Sequence, residues 1–195
     1  MTPKRIFILD GHPAATSLSR TFAETYAQSA TDAGHQVRQM HLHDLAFDAD
    51  YGFGGYGNWK PLEPALEQVI DHLKWAEHLV LTMPMWWGGM PAKLKGLIDR
   101  AFLPGITFDT RSTTWIGMPL PLMTGRSARV IVTSDTPGWF LRLRYHNAIL
   151  HQLRGQVFGF VGIKPTRFTY FSGASEPKDG AVARWSRTVQ GLGAR

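Results

Sequence analysis

The chain contains no cysteine, which excludes disulfide bonds, thiolate metal sites and cysteine nucleophiles together. It also lacks long apolar runs. Residues 79–92 form a charge-free stretch with two prolines, and this stretch is shorter than the roughly 18 apolar residues of a membrane-spanning helix. The start of the chain has only about four consecutive apolar residues, too few for the apolar region of a signal peptide, which needs about 7–15. We therefore expect a cytoplasmic protein with no membrane span.

Blocks of like charge are also scarce. The formal net charge is +6 and the isoelectric point is near 9.8, but the basic residues are scattered, except around Arg142 and Arg144 in the segment LRLRYHN. Such scatter argues against a nucleic-acid partner. With 44% hydrophobic and 18% charged residues among 195, we expect a globular enzyme-sized domain over residues 1–195.

Short apolar runs alternate with amphipathic segments along the chain. We predict strands at residues 5–10, 35–42, 79–83, 128–134 and 166–171, and helices at 17–33, 62–75, 91–101, 145–154 and 178–192. Residues 102–125 lack periodicity, and we expect them to pass over the top of the sheet. The alternation predicts an α/β fold with three layers (α/β/α), in which a doubly wound, five-stranded parallel sheet lies between the helices.

Two motifs invite functional interpretations that their context does not favour. Gly52-x-Gly54-x-x-Gly57 matches the dinucleotide fingerprint, but no buried strand enters it and no helix leaves it, so we expect a mobile aromatic-glycine loop that covers a site or a partner surface. His41-x-His43 has metal-ligand spacing, but no third ligand is nearby, and we expect solvent-facing histidines.

Three loops follow predicted strands whose carboxyl ends meet at one edge of the sheet, where ligands of such folds bind. The first, residues 11–19, places hydroxyls at a helix start, which suits either an anion or a simple N-cap. The second contains Trp86 and Trp87 before two glycines. This pair suits either a shelf for a planar ring or packing, and we expect one tryptophan to pack.

The third loop, residues 133–139, adds polar groups and an aromatic residue. Its Asp135 suits either a helix cap or an acceptor for a ring nitrogen. No catalytic triad, metal cluster or carboxylate pair stands out in the sequence, and this favours chemistry carried by a cofactor.

Two of these loops carry a family resemblance. The segment MPMWWGGMPAKLKGLIDRAF resembles the signature of the NAD(P)H quinone reductase branch of the flavodoxin-like superfamily, and DGHPAATSLS resembles that family's first flavin loop. The likeness continues through TSDTPGW and VFGFVGIKP. It implies a flavodoxin-like fold and a flavin, preferably FAD, with FMN as the alternative. It also implies a ping-pong reaction in which NADPH or NADH reduces the flavin and a quinone-like acceptor takes the electrons. Arg142 and Arg144 favour NADPH, because either can meet its 2′-phosphate.

The resemblance also assigns site residues by position. It places around the phosphates His12, Thr16, Ser17, Leu18 and Ser19; along the ring Pro84, Met85, Trp86, Trp87 and Gly88; and at its other edge Thr133, Ser134, Asp135 and Thr136. Backbone N–H groups there would stabilise the charge of the reduced ring.

The chain also departs from the family pattern. Gly88 replaces a bulky aromatic residue, and Asp135-Thr136 replaces a glycine pair, so we expect a reshaped pocket and a different acceptor. The tyrosine and histidine of the family's third loop have only nearby candidates here, Trp139, Tyr145 and His146.

Relatives of this kind are homodimers, and we expect residues 51–59 and 114–122 to line the contact between subunits. Two other functions remain open. One is a flavodoxin-type electron carrier, which the basic isoelectric point and the tryptophan-glycine turn disfavour. The other is an ancillary regulatory subunit of an ion-efflux system.

Overall fold

The computed structural model describes residues 2–52 and 60–195. Its strands are β1 (Arg5–Asp10), β2 (Gln36–His41), β3 (His78–Pro84), β4 (Phe108–Thr113), β5 (Pro119–Pro121), β6 (Ser127–Ser134) and β7 (Thr166–Ser172). Its helices are α1 (Leu18–Asp32), α2 (Pro64–Trp75), α3 (Ala92–Ala101), α4 (Gly138–Arg144), α5 (Ala148–His151) and α6 (Ala181–Gly193). A 3₁₀ turn spans Leu42–Asp44, and α5 continues as a π-helical segment over Gln152–Gly159.

The five long strands form one parallel sheet in the order β2-β1-β3-β6-β7. This confirms the predicted doubly wound α/β sheet. The order reverses between β1 and β3, and this reversal opens a crevice at the carboxyl edge of the sheet. In the strand register Asp10 lies opposite Thr82, and Pro84 lies opposite Thr133. The loops that leave β1, β3 and β6 are therefore neighbours.

The two faces of the sheet are covered by different helices. On one face, α1 and α6 pack against Ile6, Ile8, Val80 and Ile131. On the other, α2, α3 and the helical segment 148–159 cover Phe7, Leu9, Leu79, Leu81, Val130 and Val132. Central strands are buried on both faces, which explains why they appear in the sequence as nearly continuous apolar runs. No helix in the described part of the chain is long and apolar enough to cross a membrane.

Residues 102–125 differ from the prediction. This segment begins at the end of α3 and ends at the start of β6. Since α3 returns the chain to the amino edge of the sheet, both ends of the segment lie at that edge and not at the carboxyl edge. Within this segment β4 and β5 form an antiparallel hairpin. A short hairpin that is exposed on both faces shows no clear alternation, which is why the sequence did not predict it.

The region after β6 also differs from the prediction. The helix expected over residues 145–154 begins at Ala148, and an unpredicted helix, α4, precedes it. Residues 145–147 separate the two helices, with φ near +50° at His146 and Asn147. The helix then resumes and widens into the π-helical segment. Residues 53–59, which include most of the predicted aromatic-glycine loop, lie outside the described residues.

Candidate active site

A cavity of about 230 Å³ lies at the carboxyl edge of the sheet, where the loops after β1, β3 and β6 meet. It is lined by His12, Thr16, Ser17, Leu18, Ser19, Pro84, Met85, Trp86, Thr133, Ser134, Asp135, Ala174 and Ser175. Eleven of these thirteen residues belong to the set assigned from the sequence, so the fold brings together most of that set in one place.

The first loop ends in the amino terminus of α1. Ser17 is the N-cap and its hydroxyl accepts a hydrogen bond from the Arg20 N–H at 3.0 Å. Ser19 lies in the first turn of α1 and is 1% exposed, yet its hydroxyl has no hydrogen-bond partner among the described residues. A buried hydroxyl without a partner costs free energy unless a ligand satisfies it. The helix start therefore offers a capping residue and an unused polar group, together with the positive end of the helix dipole.

Asp10, the last residue of β1, holds the first loop in place. Its carboxylate is fully buried and accepts hydrogen bonds from the His12 N–H at 3.1 Å and the Thr82 hydroxyl at 3.4 Å. Its other oxygen lies 3.3 Å from Nδ1 of His41. Burial raises the pKa of Asp10, against the lowering effect of its hydrogen bonds with His12 and His41. His41 is therefore engaged with Asp10 and is not simply a solvent-facing strand residue.

Gly11 allows the loop to pass close to β3. Its N–H donates to the Thr82 carbonyl at 2.7 Å. A Cβ at this position would lie 2.7 Å from Cδ2 of Leu94 and 3.1 Å from that carbonyl. A larger residue would displace the loop from the sheet.

The tryptophan turn, residues 86–89, is a tight two-residue turn. The Trp86 N–H donates to the Gly89 carbonyl at 3.0 Å, and the Gly89 N–H donates back at 2.8 Å. The two central residues have positive φ, 51° at Trp87 and 75° at Gly88, as a type I′ turn requires. Trp86 is 44% exposed and meets the His12 ring edge-on at 5.3 Å, while Trp87 is fully exposed. Neither tryptophan is buried within this chain, because the turn directs both outward, so a packing role for one of them at a subunit contact stays a prediction.

The third loop is tied to the loop after β7. The Asp135 carboxylate accepts hydrogen bonds from the Ser175 N–H and hydroxyl, each at 2.7 Å. These bonds hold the pKa of Asp135 below its usual range, so the group is ionised at neutral pH. Asp135 therefore joins two loops instead of capping α4. Ala174 and Ser175 were missed at the sequence level, although the position of β7 beside β6 would have indicated them.

Three assigned residues lie away from this cavity: Trp87, Gly88 and Thr136. The Thr136 carbonyl instead accepts from the Tyr170 hydroxyl at 2.7 Å. Gly88 lines a second cavity of about 430 Å³ with residues of the helical segment 148–159. The candidates Trp139, Tyr145 and His146 lie on or just after α4, are exposed and do not line the 230 Å³ cavity.

Comparison with known proteins agrees with this architecture. The family described as having a flavodoxin-like fold matches residues 4–190. An FMN-dependent NADH:quinone oxidoreductase of Cereibacter sphaeroides is 28% identical over 193 residues, covering 96% of this chain and 86% of the relative. An uncharacterised NAD(P)H oxidoreductase of Escherichia coli is 30% identical over 112 residues, covering 55% of this chain. That match spans 57% of the relative, which is less than two thirds of its length.

Solved structures give the same fold. A putative quinone reductase from Klebsiella pneumoniae superposes with a TM-score of 0.81 at 20% identity, covering 96% of this chain and 83% of that one. An NAD(P)H:quinone oxidoreductase from Methanothermobacter marburgensis gives 0.77 at 21% identity, covering 100% and 99%. Since the family match extends over nearly the whole chain and agrees with its strand order, this chain belongs to the family with the flavodoxin-like fold.

Proposed function

We propose that this chain is an FMN-dependent NAD(P)H oxidoreductase that reduces quinones. The observation that carries the proposal is the cavity in which the loops after β1, β3 and β6 converge, at the place where this fold class binds its ligands. The names of the relatives support the same activity. FMN replaces the FAD expected from the first loop, because a relative that matches 96% of this chain is named FMN-dependent.

The residues present fit a phosphate-bearing cofactor. The Ser19 hydroxyl is buried and lacks a partner in the described structure, and it lies in the first turn of α1, where the helix dipole favours an anion. The cavity, about 230 Å³, is smaller than the roughly 300–1,000 Å³ of typical ligand sites. It would therefore enclose only part of FMN, with His12 and residues 16–19 around the phosphate.

The remaining lining residues would hold the ring. Pro84, Met85 and Trp86 offer one wall and residues 133–135 the other. Bound FMN would supply the two-electron chemistry, accepting hydride from the nicotinamide and passing electrons to the quinone. Asp10 and Asp135 fix the loops that form these walls through their hydrogen bonds to His12 and Ser175. We propose that donor and acceptor use the site in turn, which double-reciprocal plots with parallel lines would support.

The donor and acceptor are also proposals. NADH is favoured by the name of the Cereibacter sphaeroides relative, whereas Arg142 and Arg144 predict NADPH. The ratio of kcat/KM for the two nucleotides decides between them. A Cβ added at Gly88 would meet no other heavy atom within 4 Å. Gly88 does not line the 230 Å³ cavity but borders the second cavity beside the tryptophan turn, and we propose that an acceptor larger than a simple benzoquinone extends there.

We further propose a homodimer. Five large apolar side chains on and beside the β4–β5 hairpin are exposed: Trp115, Ile116, Met118, Leu120 and Leu122. A cavity of about 580 Å³ at the hairpin base is bordered by Tyr51, Phe108 and Phe160. Tyr51, the first residue of the predicted segment 51–59, borders this cavity, whereas the exposed apolar side chains belong to the predicted segment 114–122. Exposed apolar area of this kind is typical of an interface.

One preparation tests the proposed activity. The flavin is released from purified protein and identified by mass, and NADH and NADPH oxidation is followed with a panel of quinones of increasing size. We expect FMN and quinone-dependent oxidation. If FMN is bound but neither nucleotide reduces it, the proposed oxidoreductase activity is refuted and an electron carrier is favoured. If the protein binds no flavin, both functions are refuted.

A further inference from the structure

The short helix α4 presents an unusual outer surface. Trp139 is 65% exposed, Leu143 67% and Tyr145, just after the helix, 53%, while Leu141 is buried beneath them. Two arginines, Arg142 and Arg144, lie between these side chains in sequence and are exposed as well. We call Trp139, Arg142, Leu143, Arg144 and Tyr145 the α4 patch. Its combination of large aromatic, aliphatic and basic side chains is that of a surface that rests at a membrane interface.

The sequence that follows Asp135 and contains this patch is rich in basic residues. Residues 136–175 contain no Asp or Glu but five Arg or Lys. No ion pair in the described part of the chain includes Arg142 or Arg144. The nearest carboxylate in sequence, Asp135, is bonded to Ser175. The α4 patch is therefore complementary to an anionic surface.

The β4–β5 hairpin, the other large apolar surface, differs in charge. Its arginine, Arg111, is paired with Asp109 through two side-chain hydrogen bonds of 3.0 Å, so its local charge is balanced. A neutral apolar hairpin suits contact with a second copy of the chain, whereas an unpaired basic patch would repel its own copy. The difference in local charge therefore assigns different partners to the two surfaces: a second copy of the chain to the hairpin, and an anionic surface to the α4 patch.

The patch is held beside the candidate site. α4 follows β6 after three residues, and the last residues of β6, Thr133 and Ser134, line the cavity. Gly138, at the start of α4, lies beside the Tyr170 ring, since a Cβ added at Gly138 would be 3.6 Å from Cδ1 of Tyr170. The Tyr170 hydroxyl bonds the Thr136 carbonyl. A surface that engaged the α4 patch would therefore lie next to the cavity.

We propose that the α4 patch docks this chain reversibly on an anionic lipid bilayer. Trp139, Leu143 and Tyr145 enter the headgroup region, and Arg142 and Arg144 meet lipid phosphates. The purpose of docking rests on the proposed function: a quinone with a hydrocarbon tail resides in the bilayer, and docking brings the cavity to it.

Vesicle sedimentation of the full chain loaded with FMN, without nucleotide, tests the proposal. We expect binding to vesicles of phosphatidylcholine with phosphatidylglycerol, little binding to phosphatidylcholine alone, and weakening by salt. Arg142→Gln with Arg144→Gln should lower the partition coefficient roughly thirtyfold, because each charge near the surface contributes about fivefold. Leu143→Ser should lower it several-fold. The matched control is Arg184→Gln with Arg187→Gln, two exposed arginines on α6 in the opposite helix layer, which should change it little.

Four outcomes would overturn the proposal. The first is that the protein does not bind vesicles, and the second is that the α6 control variant reduces binding as much as the α4 variant does. The third is that Trp115→Ser abolishes binding while the α4 variants still bind. The fourth is that the α4 variants change only the oligomeric state or the KM for NADPH. The assay involves no turnover. A protein that binds vesicles but never oxidises NADH or NADPH would refute the proposed function and leave the docking surface in place.

Discussion

A substitution at Ser19 tests the proposed FMN site independently of the stability of the fold. Its buried hydroxyl has no partner among the described residues, so Ser19→Ala should leave the melting temperature of the flavin-free protein unchanged or slightly higher. FMN affinity should fall roughly 10- to 100-fold, because a hydrogen bond to a charged group contributes about 1.5–3 kcal/mol. Quenching of FMN fluorescence on titration measures the dissociation constant.

Ser29→Ala is the matched control. The Ser29 hydroxyl is nearly as buried but donates to the Gln190 carbonyl at 2.7 Å, joining α1 to α6. Its loss should lower the melting temperature and spare FMN affinity. A Ser19→Ala protein with unchanged affinity would mean that this hydroxyl does not face the phosphate.

His78 makes the fold sensitive to acid. Burial, together with the charges of Arg129, Lys4 and Arg167, lowers the pKa of His78 to about 4 from its ordinary 6.5. The unfolded chain therefore binds the proton more tightly than the native protein does. Stability from this residue is complete above pH 6.5 and is lost as the pH falls towards 4, by about 3 kcal/mol in all.

Replacing His78 should reduce that loss. His78→Asn removes the titrating ring and can retain the hydrogen bond that joins His78 to the Ser127 hydroxyl at 2.8 Å. Urea unfolding at pH 7 and pH 4 should show a smaller difference between the two conditions than in the unmodified protein. The same substitution at exposed His151 is the control. An undiminished difference in the His78 variant would assign the acid sensitivity to other groups.

At the scale of elements, Arg100 fastens a long connection to α3. Its side chain is 1% exposed, donates to the carbonyls of Asp48 and Pro61, and forms an ion pair with Glu63 at 2.9 Å. Arg100→Met should destabilise the fold by about 3–5 kcal/mol, since it leaves these acceptors without their buried partner. Denaturant titration gives the value.

An exposed ion pair supplies the comparison. Arg111→Met removes the pair with Asp109, in which the arginine side chain is 85% exposed, and should cost less than about 1 kcal/mol. Equal losses in the two variants would contradict the assigned role of Arg100.

How far an element could be predicted depended on whether its side chains are buried on a regular face. The apolar runs of β1, β3 and β6 and the helical stripe of α2 are fixed by core contacts, so periodicity revealed them. α4 buries only Leu141, and the β4–β5 hairpin exposes most of its large side chains, so neither leaves a periodic signal.

The same distinction applies to the candidate site. Residues at or after the end of a predicted strand, such as Ser17 and Ser134, could be placed at the carboxyl edge of the sheet from the alternation of strands and helices alone. Ser175 required knowledge that β7 lies beside β6. The outward direction of Trp87 depends on its positive φ, which sequence composition does not encode for a tryptophan.

At the scale of the whole molecule, the hairpin predicts the oligomeric state. Trp115 is 97% and Ile116 61% exposed, so replacing both with serine should leave the protomer folded and convert the proposed dimer to a monomer. Light scattering coupled to size exclusion measures the mass. Leu143→Ser, on the α4 patch, should leave the dimer intact. A monomeric parent protein, or a double variant that remains dimeric, would contradict this interface.

The bond between Asp135 and Ser175 has a consequence for how the protein matures. It joins residues 40 positions apart, and the cavity it closes also needs Ser17 and Ser19 from the beginning of the chain. During synthesis domains emerge from the amino terminus at about 5–20 residues per second. The start of α1, with Ser17 and Ser19, is therefore synthesised many seconds before Asp135 and Ser175 on the other side of the cavity. The complete cavity forms only after β7 has joined the sheet.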